Sequence, residues 1–295
     1  MILALTPNLS LDRVITLERP LTAGQLHRVL TLQVAAGGKG VNLARAVRAL
    51  GGESGVAGVV AGFNGQRFRA LLEEEGLPGW LLGGHGETRE CYILLDPQGG
   101  SPTELYESGF AVMDAELDAL LALLPADQTV LCGSLPPGCS PDMLGALLGR
   151  LNRLVVDSSE PGLRAAVKAG VPMITPNTHE LAQLTGSGTV EAAQDLFRRS
   201  GVQVLLTRGE AGAVYVGEET WEARAPEIEV RNPVGSGDAL LGAFLYARQQ
   251  GDSVQDALRL AVGTGSANAM LGGPLNLRAE VARDLAGRVQ VSRRT

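Results

Sequence analysis

Asp238 closes a Gly235-Ser236-Gly237 turn, and the residues beyond it, Leu240, Ala243, Phe244 and Ala247, recur on one helical face. Glycines let the backbone approach an anion, and a helix start offers unpaired N–H groups and partial positive charge. A carboxylate in that first turn sits beside the place where a phosphate would bind. Phosphoryl transfer to a hydroxyl needs that pairing: a cradle for developing negative charge and a base for the departing proton. Dipole complementation by Asp238 and an ordinary glycine turn account for the same residues.

Other stretches carry weaker signals of the same chemistry. Ala36-Gly37-Gly38-Lys39-Gly40-Val41-Asn42 precedes a helix with Leu43, Ala44, Val47 and Leu50 on one face. An ammonium, an amide and backbone N–H groups converge there, which suits a phosphate or a polyhydroxy compound. The spacing is not that of a Walker A loop. Lys39 and Lys168 are the only lysines among 25 basic residues, so a lysine within a glycine loop stands out. Asp12, just after the first apolar run, reads equally as a holder of two sugar hydroxyls or as a turn residue. Arg89 opens an extended segment and suits planar recognition of a phosphate, with a solvated edge charge as the alternative. Ser134 lies in a proline-stiffened loop after a strand, where open α/β sheets place ligands. Asn177 followed by Glu180 is a capping box, the reading favoured locally; the alternative is Glu180 acting through water on Mg²⁺ at nucleotide phosphates. Thr207, Arg208 and Gly209 begin a glycine-containing hairpin that could approach a nucleotide.

The elements that must position these residues alternate. Apolar runs predict strands at 1–5, 54–60, 128–132, 153–157, 171–175, 203–207 and 213–217. Helical periodicity and start signals predict helices at 40–50, 65–75, 114–124, 141–150, 161–169, 178–185, 190–200, 237–250, 254–270 and 278–286. This is the pattern of a parallel sheet covered by helices. Residues 12–34 and 88–108 break it. They read as a small antiparallel sheet that covers a site or pairs with a second subunit. The net charge of −7 argues against nucleic-acid binding. Cys91, Cys132 and Cys139 lack metal-ligand spacing and fit a reducing compartment. The three histidines show no metal or triad spacing. No apolar run approaches the length of a membrane span, and the N-terminus reads as a strand, so the expectation is a cytoplasmic protein.

In order along one chain, Gly37-Gly38-Lys39-Gly40-Val41-Asn42, Gly86-Glu87-Thr88-Arg89, Gly133 to Gly138, Pro176-Asn177 with Glu180, and Asn232 to Asp238 resemble the PfkB-type, ribokinase-like carbohydrate kinases. The resemblance spans about 1–286. It implies one α/β domain over 1–295, with a three-layer α/β/α fold, a mostly parallel central sheet and a small β-sheet lid. It implies that Asp238 is the catalytic base and that the N–H groups of Gly235, Ser236 and Gly237 form an anion hole. Asp12, Gly38 and Asn42 would hold sugar hydroxyls. Lys39 and Arg89 would grip a phosphate already on the substrate, with Ser134 nearby. Asn177 and Glu180 would serve ATP and Mg²⁺, while Thr207, Gly209 and Asn268 line the nucleotide side. The resemblance is nearest to the phosphosugar branch. The expected reaction converts fructose 1-phosphate to fructose 1,6-bisphosphate, with tagatose 6-phosphate and fructose 6-phosphate as alternative substrates. A catalytically inactive regulator that binds the same ligands is the rival from another class. The lid also implies a homodimer. Leu9, Thr175, Arg208 and Gly272-Gly273-Pro274 depart from the family pattern.

Overall fold

The computed structural model describes residues 1–98, 102–124, 128–139, 145, 148–151, 154–273 and 277–294. Its centre is β1 (Ile2–Leu5), where every side chain is fully buried. Alternate residues of β1 feed two different cores. Ile2 and Ala4 pack with the helices Lys39–Ala49, Ser236–Gln249 and Val254–Ala269. Leu3 and Leu5 pack with Asp114–Leu123, Gly162–Ala169, Thr178–Thr185 and Val190–Ser200. A strand apolar on both faces needs helices on both, so the fold has three layers, α/β/α.

On one side β1 pairs in parallel with β4 (Ser54–Val60), which pairs with β5 (Gly79–Gly83). On the other side the parallel series runs through β8 (Gln128–Cys132), β9 (Val155–Asp157), β10 (Met173–Ile174) and β11 (Gln203–Thr207). The ten-stranded sheet ends with three antiparallel additions, β12 (Ala213–Val216), β13 (Thr220–Arg224) and β14 (Gln290–Arg294). Strands β5, β13 and β14 lie at or beside the edges and are the ones that apolar runs did not reveal. The strands expected over 153–157 and 171–175 are shorter, and the helix expected from 65 begins at Gly62. The helix expected over 141–150 lies largely outside the described residues.

A second sheet has the order β3-β2-β6-β7, from β2 (Ser10–Leu17), β3 (Val29–Gly37), β6 (Arg89–Leu95) and β7 (Thr103–Tyr106). Its outer pairings are antiparallel, as expected, but β2 and β6 run parallel. Between β3 and β6 the chain crosses the main sheet through Lys39–Ala49, β4, Gly62–Glu74 and β5, and a crossover of that length permits a parallel return. Register assigns the faces. Val14, Ile93 and Leu95 turn inward and pack with Val234, whereas the row Leu32–Ile15–Leu94 and its neighbour Leu105 turn outward. Among the described residues no helix is long and apolar enough to cross a membrane.

Candidate active site

A cavity of about 1080 Å³ opens over the carboxyl ends of the parallel strands and beneath the small sheet. Asp238 lies in its wall, in the first turn of Ser236–Gln249, and is 5% exposed. The helix is capped by Gly235 at φ 78, a left-handed conformation natural to glycine, and a Cβ there would come 3.0 Å from Asn42 Nδ2. Asn42 donates from that nitrogen to Asp238 Oδ2 at 2.9 Å. Burial raises the Asp238 carboxyl to about 6, with the Lys39 charge and the Asn42 bond pulling against it and the Asp157 carboxylate adding to it.

The turn before Asp238 differs in one detail from the expected anion hole. The Ser236 N–H donates to Pro233 O at 3.1 Å, whereas those of Gly235 and Gly237 find no acceptor among the described residues. A turn that enters a helix uses one donor to close itself and leaves its neighbours aimed outward.

Lys39 is the first residue of its helix, where a cation opposes the helix dipole. Its ammonium is held instead by two carboxylates, Asp157 at 3.2 Å and Asp238 at 3.5 Å. Burial works against its charge, but Asp157, Asp238 and Glu180 outweigh that and hold it above the usual lysine range. Part of the side chain, 39% of its surface, still faces the cavity.

Asp12 and Arg89 enter from the small sheet. Asp12 sits inside β2, not in a turn, and Leu9 before it is buried in the core formed by Leu11, Val41 and Phe68. Ser10 donates to Asp12 Oδ1 at 2.7 Å. Burial raises its carboxyl above the ordinary range, opposed by Ser10 and by the charges of Arg45 and Arg89. Gly37 and Gly38 make room: a Cβ on Gly37 would meet Asp12 Oδ1 at 2.0 Å, and Gly38 has φ 108. The Arg89 guanidinium donates to Asn8 O at 3.1 and 3.2 Å and to Glu107 O at 3.2 Å, and lies 6.0 Å from the Tyr106 ring centre. Ser134 stands behind the wall, accepting from Asn8 Nδ2 at 3.2 Å.

At the opposite end, Asn177 and Glu180 form the capping box that their spacing predicts. Asn177 Oδ1 accepts from the Glu180 N–H at 2.9 Å, and Glu180 Oε2 from the Asn177 N–H at 2.8 Å. Glu180 Oε1 takes no protein donor among the described residues, and burial raises the carboxyl above its ordinary range. An isolated bridge joins Asn177 to Thr207, which brings Gly209 to the same wall. Arg208 turns back onto Glu222 at 2.6 Å and braces the hairpin. Asn268, expected on the nucleotide side, supports the turn before Asp238: its amide donates to Val234 O at 3.1 Å and Ser236 Oγ at 3.2 Å.

Two further residues stand against the site. Asp157 ends β9, at the head of Asp157-Ser158-Ser159, and is 5% exposed; its place after an apolar strand is the local signal in the sequence. Asn8 joins Arg89, Ser134 and Ser108 O through main-chain and side-chain bonds. Neither belongs to a glycine-rich motif.

A three-layer α/β/α core with a small side sheet over the strand ends, and a buried carboxylate at a helix tip facing that sheet, defines the ribokinase-like class of kinases. The sequence matches the pfkB family carbohydrate kinase description over residues 6–277, and the chain belongs to that family, whose members use ATP as phosphoryl donor. A 1-phosphofructokinase of Haloferax volcanii is 34% identical over 277 residues, covering 90% of each chain. A 1-phosphofructokinase of Escherichia coli is 31% identical over 254 residues, covering 81% of each. Among solved structures, phosphofructokinase-2 of Escherichia coli in complex with substrates and products superposes with a TM-score of 0.91 at 25% identity, covering 97% of this chain and 98% of that one.

Proposed function

We propose that this protein transfers the γ-phosphoryl group of ATP to the free primary hydroxyl of fructose 1-phosphate, giving fructose 1,6-bisphosphate. One observation carries the reading: the buried base Asp238, paired with Lys39 and Asn42, shares a single cavity with Arg89, a cation on the side-sheet wall. An unphosphorylated sugar would leave Arg89 facing a neutral ligand. The relatives named 1-phosphofructokinase support the choice of ketose phosphate.

In this mechanism Arg89 and Lys39 hold the substrate phosphate, and Asp12, Gly38 and Asn42 hold sugar hydroxyls. The free hydroxyl is thereby placed for in-line attack on the γ-phosphorus. Asp238 takes its proton on Oδ1, since Oδ2 is occupied by Asn42. The N–H groups of Gly235 and Gly237 receive the charge of the transferring group. Thr207 and Gly209 border the nucleotide, with Ser134 and Asn268 as supports behind the wall. Among the described residues no cluster of three or more His, Cys, Asp or Glu could hold a metal directly. Glu180 Oε1, which takes no protein donor among the described residues, would hold a Mg²⁺ through water. Bound there, Mg²⁺ would supply charge neutralisation on the phosphates. The small sheet closes over the site and excludes competing water. Its outward row, with Leu32 51% and Leu105 56% exposed, supports a homodimer through that face. A Leu32→Arg chain that stays monomeric in light scattering, beside a dimeric parent, is the expected result.

An ADP-release assay with fructose 1-phosphate, fructose 6-phosphate, tagatose 6-phosphate, fructose and ribose tests the function. Preference for fructose 1-phosphate is expected. Preference for an unphosphorylated sugar removes the assignment of Lys39 and Arg89, and absence of turnover with every sugar favours the regulator.

A further inference from the structure

Arg45 lies one turn beyond Asn42 on the helix Lys39–Ala49, and its side chain is 9% exposed. Its donors are almost fully committed. Nε and Nη2 form a fork on Glu75, each at 2.6 Å, and Nη2 also donates to Ala36 O at 2.6 Å. These bonds tie the guanidinium to the end of Gly62–Glu74 and to β3, leaving it no freedom to turn. Nη1 is thereby aimed at Asn42, donating to its Oδ1 at 3.1 Å.

That bond decides a question the shape of asparagine leaves open. The two ends of a side-chain amide are nearly the same size, so its partners alone fix which end is oxygen. With a guanidinium donor on one side and a carboxylate on the other, a single orientation avoids both donor–donor and acceptor–acceptor contact. Oδ1 must face Arg45, and Nδ2 must face Asp238, where it donates at 2.9 Å. The chain Glu75–Arg45–Asn42–Asp238 thus occupies Asp238 Oδ2 from behind. Oδ1 is left on the side of Lys39.

We propose that Arg45 is a positioning residue for the base: held by Glu75, it fixes the Asn42 amide and so presents one defined oxygen of Asp238 to the substrate hydroxyl. The inference rests on the reading of Asp238 as base. A purely structural Arg45, pinning two helices together, would change stability alone.

A double-mutant cycle separates these cases, with kcat, KM for ATP and melting temperature read for Arg45→Met, Asn42→Ala and the pair. Arg45→Met should lower kcat about tenfold with KM for ATP nearly constant, and should lower it less than about twofold when Asn42 is already alanine. Equal loss in both backgrounds, or a lower melting temperature with parental kcat, overturns the proposal. If Arg45→Met does not fold, Glu75→Gln, which loosens the fork while keeping the shape of a side chain only 19% exposed, is read in the same cycle. Its kcat should fall about threefold, and only where Asn42 is present. Asp238→Asn distinguishes the two levels of failure. Retained turnover removes the base and this inference together, whereas lost turnover with an additive cycle removes the relay alone.

Discussion

Lys39 Nζ lies 3.5 Å from Asp238 Oδ1, the oxygen that Asn42 leaves open. The same ammonium is 3.2 Å from Asp157. A cation at this point lets two buried carboxylates coexist within one wall, and it keeps Asp238 ionised near neutral pH against the cost of burial. Asp238 sits at about 6 with Lys39 in place.

Removing that cation should therefore raise the Asp238 carboxyl further. The acid limb of kcat/KM for Lys39→Met is expected at higher pH than for the parent, with KM for the phosphosugar raised about tenfold or more from the lost grip on its phosphate. Ionisation of the sugar phosphate is common to both proteins, so the difference between their pH profiles isolates the side chain. Coincident limbs would remove Lys39 as the partner of Asp238.

Stability should change in the opposite direction at Asp238 itself. The unfolded chain holds this carboxyl near 3.8, and the fold raises it to about 6. As pH falls through that interval the folded state binds the proton first, so this group's penalty is full above about pH 6 and vanishes below about pH 4. Asp238→Asn removes the penalty. It should melt higher than the parent at neutral pH, with a gap that closes on acidification, while turnover falls about a thousandfold or more. A constant gap across the pH range would contradict the raised value.

Glu180→Gln separates cap from catalysis. Glutamine can still accept from the Asn177 N–H, so the capping box and the melting temperature should survive. The lost charge should appear as a higher Mg²⁺ concentration for half-maximal rate. An unchanged Mg²⁺ titration would return Glu180 to a structural role.

Gly37 is the test of the sugar end. Its conformation is open to any residue, but an added Cβ would fall 2.0 Å from Asp12 Oδ1. Gly37→Ala should displace Asp12 and raise KM for the phosphosugar about tenfold or more, leaving KM for ATP unchanged. Equal changes in both constants would mean that the loop as a whole had shifted.

The sequence by itself determined what short-range chemistry controls. Strands β1, β4, β8 and β11 were legible because buried parallel strands are continuous apolar runs. The helices over 178–185 and 190–200 were legible because their caps and glycine stops are local. The glycine turn with Asp238, the Lys39 loop and the Asn177–Glu180 box were visible for the same reason. Strands β13 and β14, beside and at the sheet edge, were not, since they carry no continuous apolar run and gain their order from neighbours. Nor were Asp157 on Lys39, Asn268 behind the turn, or the Arg45–Asn42–Asp238 chain. Asn42 and Asp238 stand 196 residues apart, and their bond exists only because two helices meet on one side of the sheet. Motifs name the groups available for chemistry, and packing alone assigns which oxygen faces which proton.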